Sequence, residues 1–158
     1  HDALPILPST HALAAREAIS AEELKLETML LLGTGHCFRD QVLEVCPEFA
    51  RFASDAEGIR KSFEGSSLET IKHMVAAGMG ITLVPRLSVP ADALYTPKDR
   101  RKGPNYVRYL PVQDGPHSAP PTRRVVLAWR RSFTRYEAIA ALRNAIYACE
   151  LPGVTRLS

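Results

Sequence analysis

The sequence has few cysteines, few aromatic residues and no long apolar run, and each shortage excludes a class of protein. A membrane-spanning helix needs about 20 consecutive apolar residues, and none of the 158 positions begins a run of that kind, so no membrane partner is expected. Three cysteines, an odd and sparse set, cannot build the disulfide framework of a small secreted domain. The opening His1-Asp2-Ala3-Leu4-Pro5 lacks the basic region and apolar core of a signal peptide. A cytoplasmic, reducing compartment is therefore the expectation, where a disulfide is transient rather than structural. Eleven Phe, Tyr and Trp residues are thin interleaving for a nucleic-acid surface. There is no internal repeat and no low-complexity tract.

What is present is an average globular composition, 46% hydrophobic and 23% charged, with length for one ordinary domain or two small lobes. The net charge of +3 hides an asymmetry. Residues 1–70 carry 6 Lys/Arg against 12 Asp/Glu, and residues 71–158 carry 14 against 5. The basic clusters Arg100-Arg101-Lys102, Arg123-Arg124 and Arg130-Arg131 read as solvated loops and lobe contacts.

Residues 26–32 form a short apolar run that ends at Gly33-Thr34-Gly35, the pattern of a buried strand feeding a loop. A helix is predicted to start near His36 or Cys37, with Phe38, Val42, Val45 and Phe49 on one apolar stripe. Pro47 should break it near Val45 or Cys46. Residues 60–64 fit a short strand. Ser66-Ser67-Leu68-Glu69 has the form of a capping box, opening a helix through Ala77 that Gly78 closes. Residues 80–85 and 105–112 read as strands, and the proline-rich 111–122 as a connector. Residues 125–129 form a continuous apolar strand expected to be buried on both faces. Thr134-Arg135-Tyr136-Glu137 resembles a second capping box, before a helix with Ile139, Leu142, Ile146 and Cys149 on one side. Alternating strands and helices predict an α/β fold with a mostly parallel sheet.

Cys37 and Cys46 stand nine residues apart in what reads as one helix. At 1.5 Å and 100° per residue, their Cα atoms would lie about 13 Å apart on opposite faces. A disulfide needs Cα atoms within roughly 7 Å, so bonding requires the helix to come apart. Cys37 falls in the first turn, where unpaired backbone N–H groups and the helix dipole favour an anion; His36 and Arg39 are near enough to contribute. Cys37 is thus the candidate attacking thiol, and Cys46, among apolar neighbours, the candidate resolving thiol. Closing such a loop stabilises by roughly 3 kcal/mol, while each apolar side chain pulled from a core costs about 1.5–3 kcal/mol, so the two packings are balanced. A buried cysteine is more often a small hydrophobe, and spacing alone leaves that reading open. No common zinc spacing is met by His36, Cys37 and Cys46, so no metal or other cofactor is expected. Cys149 reads as structural, and His11, His73 and His117 have no identifiable partners.

The run Gly35-His36-Cys37-Phe38-Arg39-Asp40-Gln41 with Cys46 resembles the peroxide-sensing motif of the OxyR branch of the LysR-type transcription regulators. Ser67-Leu68-Glu69-Thr70 and the stretch Met74-Val75-Ala76-Ala77-Gly78-Met79-Gly80-Ile81-Thr82-Leu83-Val84-Pro85 resemble the effector-binding part of LysR-type regulators generally. The similarity runs from about His11 to Tyr147. It implies a periplasmic-binding-protein type 2-like architecture of two α/β lobes, with residues 9–118 in the second, inserted lobe and residues 1–8 with 119–158 in part of the first. The helix-turn-helix DNA-binding domain of such regulators is not in this sequence, nor is the opening half of the first lobe.

By that resemblance Cys37 matches the peroxidatic cysteine and Cys46 the resolving cysteine that forms a disulfide with it. His36 and Arg124 match positions that hold peroxide or the thiolate, Gly35 lets the backbone approach the oxidant, and Arg39 and Asp40 support the helix start. The implied function is the hydrogen-peroxide-sensing regulatory domain of a transcription activator, not an enzyme. Its implied partners are peroxide, further copies of itself as homodimer or homotetramer, promoter DNA through the absent domain, and RNA polymerase. The competing readings are a Cys-dependent thiol peroxidase and a LysR-type module that binds a small anionic effector.

Overall fold

A computed structural model describes residues 3–47, 62–65, 67–90, 93, 106–113 and 121–157, with the backbone alone at 62–64. Among the described residues the chain order is β1 (Ala3–Pro8), α1 (Ala21–Leu24), β2 (Met29–Leu32), α2 (Cys37–Val45), β3 (Ser62–Gly65), α3 (Leu68–Ala76), β4 (Thr82–Pro85), β5 (Val107–Tyr109) and α4 (Tyr136–Ala148). Short 3-10 turns stand at Ala12–Ala15 and Arg86–Ser88.

β1 occupies the middle of a three-stranded sheet of order β4-β1-β5 although it holds two prolines, which cannot donate to a ladder. The loss is met from the other side: the Pro5 carbonyl accepts the Leu110 N–H at 3.1 Å. Both of its neighbours run antiparallel, with Leu4 opposite Val84 and Ile6 opposite Tyr109. The expectation of mostly parallel strands is corrected here. Among the described residues parallel pairing is confined to β2 with β3, in the register Met29–Ser62 to Leu32–Gly65, and to two isolated bridges, Met29–Ile81 and Ile19–Val112. The Met29–Ile81 bridge joins the two sheets. Leu30 N–H donates to Ile81 at 2.8 Å, Ile81 N–H donates to Thr28 at 2.9 Å, and the buried Thr82 hydroxyl donates to Leu30 at 2.6 Å. The backbones meet this closely because position 80 is glycine: a Cβ there would lie 2.5 Å from the Thr28 carbonyl oxygen.

α3 packs on β1 and β2 through Ile71 and Val75, one turn apart and both fully buried. Its cap sits one residue later than predicted. Ser67, not Ser66, accepts the Thr70 N–H at 3.1 Å, and Glu69 turns outward to Lys72 at 2.8 Å. Gly78 ends it as expected, at φ +79°, with the Met79 N–H on the Met74 carbonyl and the Gly78 N–H on that of Val75. A capping box the sequence reading passed over opens α1: Ser20 Oγ accepts the Glu23 N–H, and the Glu23 carboxylate accepts the Ser20 N–H. His11 has partners after all, taking the Leu13 N–H on Nδ1 and lying 3.2 Å from the Glu27 carboxylate through Nε2.

Residues 111–113 are more than a connector, since the Ile19 N–H donates to the Pro111 carbonyl and the Gln113 N–H to the Ile19 carbonyl. The larger correction lies at 125–129. This segment forms no strand, and Val125 and Val126 are 68% and 67% exposed. A strand persists only where a neighbour takes its backbone hydrogen bonds, and none does among the described residues. α4 buries no residue, and its apolar side, Leu142 and Ile146 included, is open. Arg135 takes its N-cap position with no side-chain bond, so the Thr134 capping box does not form, and Cys149 is the exposed C-cap. His117, Phe49 and Arg60 lie outside the described residues.

Candidate functional site

β2 delivers the chain to the site. Its four residues Met29, Leu30, Leu31 and Leu32 are all buried, and Gly33 continues the ladder by donating to the Gly65 carbonyl at 3.2 Å. The chain then turns through Thr34 and Gly35, where φ is +94° and open space surrounds the position a Cβ would take. A side chain at 35 would be strained by the backbone alone, without meeting a neighbour. His36 follows as the N-cap of α2, extended at φ −88° and ψ 115°, and its side chain makes no capping bond. The first turn therefore lacks the usual side-chain acceptor, and the Arg39 N–H donates instead to the His36 carbonyl at 2.9 Å.

Cys37 is the first helical residue and is exposed. Asp40, also exposed, lies in the same first turn. Arg39 points the other way. It is only 8% exposed, and its Nη1 donates to the Leu32 carbonyl at 2.8 Å, tying the start of α2 to the end of β2. Phe38 and Val42 are buried, as the apolar stripe predicts, and Val45 is half-buried.

Cys46 is the C-cap, leaving the helix at φ −132° and ψ 73°, with its N–H on the Val42 carbonyl at 3.0 Å. It is fully buried in the core, just before Pro47. Both cysteines hold thiols, one facing solvent and one in the interior. A regular helix runs from Cys37 through Val45, and its rise sets the two Cα atoms about 13 Å apart. That is beyond the roughly 7 Å a disulfide spans.

The structure thus brings Gly35, His36, Cys37, Arg39 and Asp40 to one turn and sets Cys46 at the far end of the same helix. Arg124 arrives from the distant 121–124 segment and is exposed. The contact with α2 is made by its neighbour Arg123, whose guanidinium lies 5.5 Å from the centre of the Phe38 ring. Ala3 N–H holds that segment to β1 through the Pro121 carbonyl at 3.0 Å. A cleft of about 160 Å³ lies between α2, β4 and residues 121–123, with Phe38, Val42, Leu83 and Arg123 in its wall. Gln41 also lines it, and its Oε1 is buried without a hydrogen-bond partner among the described residues. Sequence reasoning gives Phe38 only a place on the apolar stripe, and Gln41 and Arg123 no individual role. The paired arginines at 123 and 124 are the available signal, and their cluster reads as solvated loops and lobe contacts.

The model of the LysR substrate binding domain matches residues 2–148. The hydrogen peroxide-inducible genes activator of Pectobacterium carotovorum is 38% identical over 133 residues, 82% of this chain and 38% of the relative. The chain thus spans less than two-fifths of that relative's length. The reduced form of OxyR from Neisseria meningitidis superimposes with a TM-score of 0.73 at 33% identity, over 99% of this chain and 64% of that one. The reduced OxyR regulatory domain of Pseudomonas aeruginosa gives 0.67 at 36% identity, over 94% and 62%. These likenesses establish a periplasmic-binding-protein-like α/β fold. With the matched model covering nearly all of the sequence, the chain belongs to the LysR substrate-binding domain family.

Proposed function

We propose that this chain is the peroxide-sensing regulatory domain of a LysR-type transcription regulator, switched by a reversible Cys37–Cys46 disulfide. One observation carries the reading: a single helix presents an exposed thiol at its first residue and ends on a buried thiol beyond bonding distance. The names of the relatives, a peroxide-inducible activator and reduced OxyR, support it.

The Cys37 thiolate attacks one peroxide oxygen, forming an S–O bond as the O–O bond breaks. The leaving hydroxide takes a proton and departs as water, and Cys37 is left as a sulfenic acid. α2 then unwinds, and the Cys46 sulfur attacks the Cys37 sulfur. The S–S bond forms, the S–O bond breaks and a second water leaves. The two thiols supply the two electrons that reduce one peroxide. Gly35 and His36 bound the approach to Cys37, and Arg124 is the cation offered to peroxide or the thiolate. Arg39 and Asp40 hold the helix start.

Residues 9–118 make the second lobe and residues 119–158 belong to the first, while residues 3–8, expected in the first, pair as β1 with β4 and β5 and so pack with the second. The uncovered apolar face of 125–157 favours that division. Remodelling of residues 37–46 changes lobe and subunit contacts in a dimer or tetramer, and so the setting of DNA-binding domains on promoters and their meeting with RNA polymerase in the cytoplasm.

Mass spectrometry of alkylated protein before and after peroxide tests the reading. Wild type should lose two alkylatable thiols as Cys37 and Cys46 become linked, Cys46→Ser should stop at a trappable sulfenic acid on Cys37, and Cys37→Ser should not respond. A Cys37→Ser protein that still links or rearranges would refute it. Consumption of many equivalents of peroxide with a reductant would instead identify a thiol peroxidase.

A further inference from the structure

Phe38 follows the exposed Cys37 in the chain and is itself 7% exposed, so the backbone at the thiol cannot move far without moving the ring. Arg123 covers that ring at 5.5 Å, within the roughly 6 Å over which an aromatic face attracts a cation. The segment bearing Arg123 is anchored to β1 by the Ala3–Pro121 bond, so the guanidinium is presented from a fixed backbone. The cleft beside them leaves space next to Phe38 and Val42 on the side of Leu83. The ring is therefore held by contacts rather than locked by close packing all round.

From this geometry we infer that Arg123 is a positioning residue of the switch: by holding the Phe38 ring it favours the dithiol packing of α2, and it couples α2 to the segment that carries Arg124. The inference rests on the peroxide-sensing reading above. Unwinding α2 to bring Cys46 to Cys37 draws Phe38 from under Arg123, so the contact and the disulfide exclude each other. Linkage then makes the effect reciprocal: whatever weakens the contact favours the disulfide, and the disulfide releases Arg123.

The test equilibrates the full chain in buffers of reduced and oxidised glutathione. There the protein disulfide and two glutathione thiols exchange with two protein thiols and oxidised glutathione. Alkylation and mass spectrometry count the linked and unlinked forms. Arg123→Gln should raise the ratio of disulfide to dithiol by about two- to five-fold, the equilibrium effect of a partly exposed cation–π contact. Arg123→Lys, which keeps a cation over the ring, should shift it less. Phe38→Leu should move the ratio in the same direction, and Arg123→Gln added to Phe38→Leu should change it no further, which separates the pair from every other contact of Arg123. An unchanged ratio in Arg123→Gln, or fully additive effects in the double variant, would overturn the inference while leaving the switch intact. If wild type forms no Cys37–Cys46 disulfide at any glutathione ratio, the switch itself is refuted.

Discussion

Arg39 is a charged side chain that the fold has turned inward, and its function follows from that burial. At 8% exposure, with Nη1 2.8 Å from the Leu32 carbonyl, it satisfies a strand-end oxygen that water cannot easily reach. Arg39→Ala should therefore destabilise the domain by about 1.5–3 kcal/mol, the range for a hydrogen bond from a charged donor, as read by urea unfolding. Glu23 is the opposite case, a surface carboxylate used locally. The Ser20 backbone N–H holds its carboxyl below the ordinary range, outweighing the desolvation that opposes it, and Arg16 at 3.0 Å adds to the effect. A depressed carboxyl supports the fold above its unfolded pKa, and that support is lost as pH falls through the folded value. In NMR titrations the Ser20 amide should follow Glu23 protonation below the ordinary carboxylate range, and Glu23→Gln should abolish the response.

The helices differ in how firmly they are fastened. α3 has a Ser67 cap, a glycine stop and two fully buried residues on the sheet. α2 has no side-chain cap, and Cys46 takes it out of helical conformation at its end. A missing cap costs about 0.5–2 kcal/mol, so α2 should open locally before α3 does. Amide hydrogen exchange should accordingly be faster at residues 41–45 than at 72–76, and equal protection would count against α2 as the element that switches. Ile71→Ala, which empties a core position of α3, should cost about 2–5 kcal/mol in urea unfolding.

For the whole molecule the decisive feature is uneven burial. Among the described residues the core is drawn from 4–46, 71–89 and 110–112, while 125–157 expose Val125, Val126, Trp129, Leu142 and Ile146. Exposed apolar surface of this extent drives association. Sedimentation velocity should show concentration-dependent self-association, and Leu142→Glu should weaken it with less than about 0.5 kcal/mol change in stability, since no buried contact is lost. The same uneven burial explains which elements were legible. β2, α2 and β4 were read correctly because each carries its own signal: an apolar run ending in glycines, a helical stripe stopped before Pro47, a strand closed by Pro85. β1 was missed because Pro5 and Pro8 disguise a strand whose partners, β4 and β5, lie far along the chain. Residues 125–129 were misread because their composition is that of a buried strand, and burial is conferred by neighbours.

From sequence alone came the incompatibility of Cys37 and Cys46 within one helix, since helical rise and sulfur bonding distance are local quantities. Tertiary structure decided which thiol meets solvent, that Arg39 turns inward to Leu32, and that Arg123 rather than a residue near in sequence covers Phe38. Those outcomes depend on which distant segments share space, and such long-range pairing leaves no periodic trace in the order of residues.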